Sequence, residues 1–169
     1  MQIRTEQPED GDAIGQLTTM AFAAAEHSSG MEADIVEGLR QADALTLSLV
    51  AESPAGLLGH IAFSPVLIDG RPCGWYGLGP LSVAPAEQGS GIGSALVRAG
   101  LDRLRQMGGQ GCVVLGDPGY YGRFGFRPDA GLVLEGVPPV YFQCLPLQET
   151  AMPRGVVTYH PAFFPAEPG

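Results

Sequence analysis

LSVAPAEQGSGIGSAL, residues 81–96, is the stretch whose reading decides the fold. Its apolar opening, Leu81-Ser82-Val83, reads as the end of a strand. Ala84-Pro85 closes that strand, and Gln88-Gly89-Ser90-Gly91-Ile92-Gly93 makes a glycine-rich turn with an amphipathic helix behind it. Strand, glycine loop and helix start in that order build an anion site. Glycines let the backbone approach a ligand closely, and the first helical turn has N–H groups with no partner inside the helix. A phosphate-bearing ligand is therefore expected at this loop.

Downstream, the spacing predicts a helix over 91–107. Leu96, Val97, Gly100, Leu101 and Leu104 form its buried stripe, Arg98, Asp102 and Arg105 face away, and Gly108-Gly109 ends it. Residues 111–115 (GCVVL) read as a compact buried strand, parallel to its predecessor across the helix. Asp117-Pro118 opens a short helix through Tyr120 and Tyr121, Gly125-Phe126 stops it and starts a strand, and 141–147 is a further strand. The tail run 156–159 is expected to pair at an edge.

Upstream, 75–83, 57–67 and 45–50 read as strands of an antiparallel meander, with a turn at Asp69-Gly70. Pro80 cannot donate to a ladder, so it implies an edge, a bulge or a local split in the sheet. Before the meander lie a strand at 2–6 and a helix that starts at Pro8-Glu9-Asp10 and carries Ile14, Leu17, Thr18 and Ala21. His27-Ser28-Ser29-Gly30 breaks that helix, and 31–41 forms a second one with Ile35, Val36 and Leu39. The expected fold is α+β (mixed α/β): one central, mostly antiparallel twisted sheet with a β-α-β crossover and flanking helices. The whole chain, 1–169, reads as one domain.

A net charge of −9 argues against a nucleic-acid binder and permits a cationic acceptor. The N-terminus has no apolar signal region, and no run of about 18 apolar residues spans a membrane. Cys73, Cys112 and Cys144 are odd in number and far apart, which reads as reduced, mostly buried thiols in a cytoplasmic protein. His27, His60 and His160 are scattered, so no metal site is expected, and His60 reads as a satisfied core histidine.

Three phosphate loops can be compared with residues 88–94. A Walker loop needs a lysine after its last glycine, and none follows here. A dinucleotide fingerprint fits Gly89 and Gly91 but meets Ser94 where its third glycine belongs, and this loop follows a meander instead of opening a βαβ unit. The third is the pyrophosphate loop of coenzyme A. Here Gln88-Gly89-Ser90-Gly91-Ile92-Gly93 resembles the Gln/Arg-x-x-Gly-x-Gly/Ala motif of the Gcn5-related N-acetyltransferases (GNAT). Upstream, the stretch from Pro80 to Pro85 resembles that family's pantetheine-pairing strand. Downstream, Tyr120-Tyr121-Gly122-Arg123-Phe124-Gly125-Phe126 resembles its aromatic-Tyr-x-x-x-Gly-Phe motif, and the longer stretch from Gly116 to Phe126 resembles the YhbS-type subgroup. The order of elements is similar along nearly the whole chain.

The resemblance implies an acetyl-CoA-dependent N-acetyltransferase that moves the acetyl group directly to a primary amine, without metal. Gln88, Gly89, Ser90, Gly91, Ile92, Gly93 and Ser94 would hold the pyrophosphate, and Leu81, Ser82 and Val83 the pantetheine. The N–H of Leu81 or Ser82 would face the oxyanion. Tyr121 stands four residues before Gly125, where the family places its general acid, and Tyr120 is expected to pack inward. Asp117 reads as a cofactor contact or as a helix cap. No carboxylate lies on the strand before the loop, where many members carry a glutamate. Glu26, His27 and Glu32 occupy the segment that lines the acceptor site in this family. The acceptor is a small-molecule or peptide amine, and a homodimer is left open. Two other readings remain: a non-catalytic acyl-CoA-binding module and a nicotinamide-dinucleotide enzyme.

Overall fold

The computed structural model describes residues 1–23, 25 and 28–164. The elements run β1 (Gln2–Thr5), α1 (Gly11–Phe22), α2 (Glu32–Gln41), β2 (Leu47–Ser53), β3 (Gly56–Ile68), β4 (Arg71–Val83), α3 (Ile92–Gln106), β5 (Gly111–Leu115), α4 (Pro118–Tyr121), β6 (Leu132–Val133), β7 (Phe142–Pro146) and β8 (Gly155–Thr158). The sheet order is β1-β2-β3-β4-β5-β7, with β8 pairing β3 and β6. This is the expected mixed, mainly antiparallel sheet with flanking helices. Two compact units divide the chain: 1–63, 79–100 and the residues from 161 in one, 64–78 and 101–160 in the other.

In the first unit, β1, β2 and β3 form an antiparallel meander, with Thr5 opposite Leu49 and Leu49 opposite Ile61. The helical period of α1 buries Ile14, Leu17 and Thr18, and that of α2 buries Ile35, Val36 and Leu39. Ile14, Val36 and Val50 pack together, with Leu45 and Leu57 against them. Arg4 ties the entry to α1 onto the sheet by reaching Asp10 at 2.7 Å and Glu52 at 2.9 Å. The first three turns of α3 lie against β3. A Cβ on Gly59 would come within 2.9 Å of Leu96 Cδ1, and one on Gly100 within 2.3 Å of the Phe63 ring. The helix can sit this close only because both positions lack a side chain.

A partly buried polar group joins β1, α2, β2 and β3, with Ser48 and His60 its buried members. Arg40 donates to Glu6 through Nε at 2.9 Å and Nη2 at 3.0 Å, and the Ser48 hydroxyl also donates to Glu6. With the Ser48 proton committed, His60 Nε2–H donates to Ser48 Oγ at 2.7 Å. Burial pushes the His60 pKa down to about 4, so the ring is neutral at pH 7. Its Nδ1 is buried with no hydrogen-bond partner among the described residues. His60 is a core histidine, but only one of its nitrogens is satisfied.

In the second unit, β5 runs parallel to β4, with Trp75 opposite Gly111 and Gly77 opposite Val113, and β7 covers the other edge of β5 antiparallel. That parallel register runs from Trp75 to Gly77, three residues short of Pro80. Gly108, with φ 85°, ends α3 in the left-handed conformation, and the Gly109 N–H reaches back to the Leu104 carbonyl at 2.8 Å.

Several boundaries differ from the sequence reading. β2 starts at Leu47, because Leu45 packs sideways into the apolar cluster instead of joining the ladder. Gly125-Phe126 starts no strand. Only an isolated bridge follows, between Arg127 and Cys144. The tail strand β8 has two partners, β3 antiparallel at Leu67↔Thr158 and β6 parallel at Leu132↔Gly155. Cys112 and Cys144 are buried as expected, whereas Cys73 is exposed.

Candidate active site

The glycine loop lies wholly in the first unit. Pro85–Glu87 forms a single 3-10 turn after β4, and Gln88 returns the backbone to an extended conformation. Gly89 and Gly91 then take φ values of 86° and 91°, in the region that costs any residue with a Cβ. Nothing lies within 4 Å of the position a Cβ would occupy on either. Space is therefore not what selects glycine here; the backbone conformation is.

This conformation aims the loop at the start of α3. The first helical bond runs from Ala95 N to Gly91 O at 3.0 Å, so the N–H groups of Ile92, Gly93 and Ser94 lie ahead of the intrahelical ladder. The first turn of α3 contains no acidic residue, in a chain with 18 Asp and Glu. Helix dipole and N–H groups together favour an anion at this end.

Two side chains assigned to the ligand are engaged inside the loop. Gln88 Nε2 donates to the Val83 carbonyl at 3.2 Å, and the Ser90 hydroxyl donates to the Glu87 carbonyl. Both brace the turn, so the anion donors of the loop are mainly backbone groups. On the strand before it, Leu81 and Val83 are half-buried. Ser82 is buried, and its hydroxyl has no partner among the described residues.

Tyr121 lies in the second unit, at the end of α4. Asp117 caps that helix, accepting from Gly119 N at 2.8 Å, so its carboxylate serves the local backbone. The Tyr121 N–H bonds to the Asp117 carbonyl at 3.0 Å. Its ring meets Phe126 edge-on at 6.0 Å and lies over Gly116, where a Cβ would come within 2.6 Å of Tyr121 Cε2. Burial pushes the phenol above its ordinary range, with smaller contributions from Tyr120 and Cys112. Tyr120 and Tyr121 are both half-buried and meet edge-on, with ring centres 5.0 Å apart. Tyr120 also carries the Arg123 guanidinium 4.7 Å above its ring centre.

Glu26 and His27 lie outside the described residues. Glu32 is buried at the start of α2 and accepts from the hydroxyls of Ser28 and of Ser29, the latter at 2.8 Å. Burial works to raise its pKa, but these hydroxyls and the Met31 and Glu32 N–H groups outweigh it and hold the carboxylate below its ordinary range. Such a group is a poor base and a good counter-charge. The Ser28-Ser29 clamp has no signature in the sequence, because serines before a helix read only as caps. Among the described residues no cluster of three or more His, Cys, Asp or Glu is placed to hold a metal ion.

Comparison with known proteins adds independent support. Residues 45–128 match the family described as Acetyltransferase (GNAT) domain. The chain is 41% identical over 128 residues to the uncharacterized N-acetyltransferase YhbS of Escherichia coli (strain K12), covering 75% of this chain and 74% of that protein. The chain belongs to the GNAT acetyltransferases.

Among solved structures, a GNAT family acetyltransferase from Brucella melitensis in complex with acetyl-CoA is 54% identical, with a TM-score of 0.86 over 96% of this chain and 97% of that one. YhbS from Escherichia coli in complex with CoA is 36% identical, with a TM-score of 0.90 over 97% of this chain and 92% of that one. Among the described residues no helix is long and apolar enough to cross a membrane.

Proposed function

We propose that residues 1–169 act as one N-acetyltransferase domain that moves an acetyl group from acetyl-CoA directly to a primary amine. The observation that carries this is the pair of left-handed glycines, Gly89 and Gly91, set before a helix start with no acidic residue. In this reading the N–H groups of Gly89, Gly91, Ile92, Gly93 and Ser94 hold the pyrophosphate, while Gln88 and Ser90 brace the loop. Leu81, Ser82 and Val83 run beside the pantetheine, and the N–H of Leu81 or Ser82 faces the developing oxyanion.

The amine nitrogen attacks the thioester carbonyl, a C–N bond forms and the C–S bond breaks. The departing thiolate takes the Tyr121 hydroxyl proton, and the amine gives up its own proton to water. Tyr121 suits the role because a phenol is protonated at neutral pH and can give its proton to a departing thiolate. Asp117 sets the pitch of the helix that carries it, and Glu32 supplies negative charge for a cationic acceptor. The reading places the enzyme in the cytoplasm, with a small-molecule or peptide amine as acceptor. It is supported by relatives whose crystals hold acetyl-CoA or CoA.

Calorimetric titration with acetyl-CoA, and with NADH as control, tests it. Saturable acetyl-CoA binding without NADH binding is the expected result. Folded protein that binds no acetyl-CoA overturns the assignment of the loop.

A further inference from the structure

Gln143 is 1% exposed, lies on β7 directly opposite Val114 of β5, and belongs to no motif. An amide in so dry a place should use both ends. It uses one: Nε2 donates to the Gly116 carbonyl at 3.2 Å, while Oε1 is buried without a partner among the described residues. An apolar side chain would avoid that unmet acceptor. What the glutamine contributes is therefore its single donated bond.

That bond falls where regular pairing ends. The β5–β7 register closes at Leu115↔Phe142, and Gly116 is the first residue past it. Its N–H reaches the Tyr141 carbonyl at 2.9 Å and its carbonyl receives Gln143, so both backbone groups of Gly116 are fixed from the β7 side. The Tyr121 ring rests on the bare Cα of this same residue. Asp117, next in the chain, caps the helix from which Tyr121 projects. The peptide at Gly116 is thus both the floor under the ring and the root of its helix.

We propose that Gln143 is a positioning residue for acetyl transfer: by clamping the Gly116 carbonyl it sets where the Tyr121 hydroxyl stands. This rests on the reading of Tyr121 as the proton donor.

The test is a double-mutant cycle with Gln143→Met, which keeps the size of the side chain and removes its donor, and Tyr121→Phe. Turnover is read as CoA release from acetyl-CoA with hydroxylamine as surrogate amine, after subtraction of the spontaneous reaction. Gln143→Met is expected to lower kcat about tenfold, with the KM for acetyl-CoA within about twofold, and to have no further effect once Tyr121 is Phe. Equal fractional losses in both backgrounds would overturn the proposal. If Tyr121→Phe alone leaves kcat unchanged, the proton-donor reading fails instead.

A second readout is independent of turnover. With ring-labelled tyrosine, NMR of Gln143→Met should shift the Tyr121 signals and leave those of Tyr76, whose ring lies by Gly109, in place. Unmoved Tyr121 signals overturn the clamp whatever the kinetics show. Gln143→Leu, which also lacks the donor, serves if the methionine variant does not fold.

Discussion

The Phe63 ring on β3 fills the place where a side chain at position 100 of α3 would stand, its Cε2 only 2.3 Å from an ideal Cβ. Both residues are buried in the first unit. Gly100→Ala should therefore cost about 1–3 kcal/mol by overpacking, although alanine favours helices. Thermal melting of the single variant, and of its combination with Phe63→Leu, checks this. The smaller residue at 63 should recover part of the loss, whereas additive losses would refute the contact.

His60 makes stability depend on pH in a defined window. Its pKa is about 6.5 in the unfolded chain and about 4 when folded, so between these values the unfolded state binds more protons. Stability is lost as the pH falls from 6.5 through 4, by about 3 kcal/mol from this residue. His60→Gln keeps a donor for Ser48 and should flatten the melting temperature over this window. Parallel profiles for the two proteins would show that His60 does not titrate in this way.

Gly91→Ala tests the loop. At φ 91° the added methyl meets no neighbour but strains the backbone by about 1–2 kcal/mol. Relief of that strain turns the first N–H groups of α3 away from the anion. Calorimetry should show acetyl-CoA affinity weakened about tenfold or more, while the melting temperature falls only slightly. Unchanged affinity would remove Gly91 from the site.

Tyr121→Phe tests the acid. Phenylalanine keeps the edge-on contact with Phe126 and the packing over Gly116. Acetyl-CoA affinity should stay within about twofold while kcat falls about tenfold to a hundredfold. A fall in affinity with kcat intact would make Tyr121 part of the binding wall instead.

What was legible in the sequence was whatever repeats or punctuates. The α3 stripe of Leu96, Val97, Leu101 and Leu104 has a helical period long enough to read, and Gly108 and Asp117 mark their helix ends by known backbone chemistry. β6 was not legible because two residues, Leu132 and Val133, carry no period. Gly125-Phe126 misled because a left-handed glycine followed by an aromatic also ends a helix without starting a strand. In the candidate site, the loop glycines and Tyr121 could be proposed from type and spacing alone, and the structure adds the left-handed conformation of Gly89 and Gly91. The Glu6–Arg40–Ser48–His60 group and the Gln143–Gly116 bond did not, because their members lie far apart in the chain and meet only in the fold.

The start of α3 attracts anions inside a molecule that, at −9, repels them from afar. The two effects differ in range. Backbone N–H groups act within a hydrogen-bond length, whereas the field of the whole chain extends about 10 Å at 0.1 M salt. The pyrophosphate proposed for this loop would cross an adverse field to reach it. Added salt thins that barrier and leaves the short contacts largely intact. Its capture should therefore quicken as ionic strength rises while its escape hardly changes, the reverse of the steering seen when an enzyme and its ligand carry opposite charge.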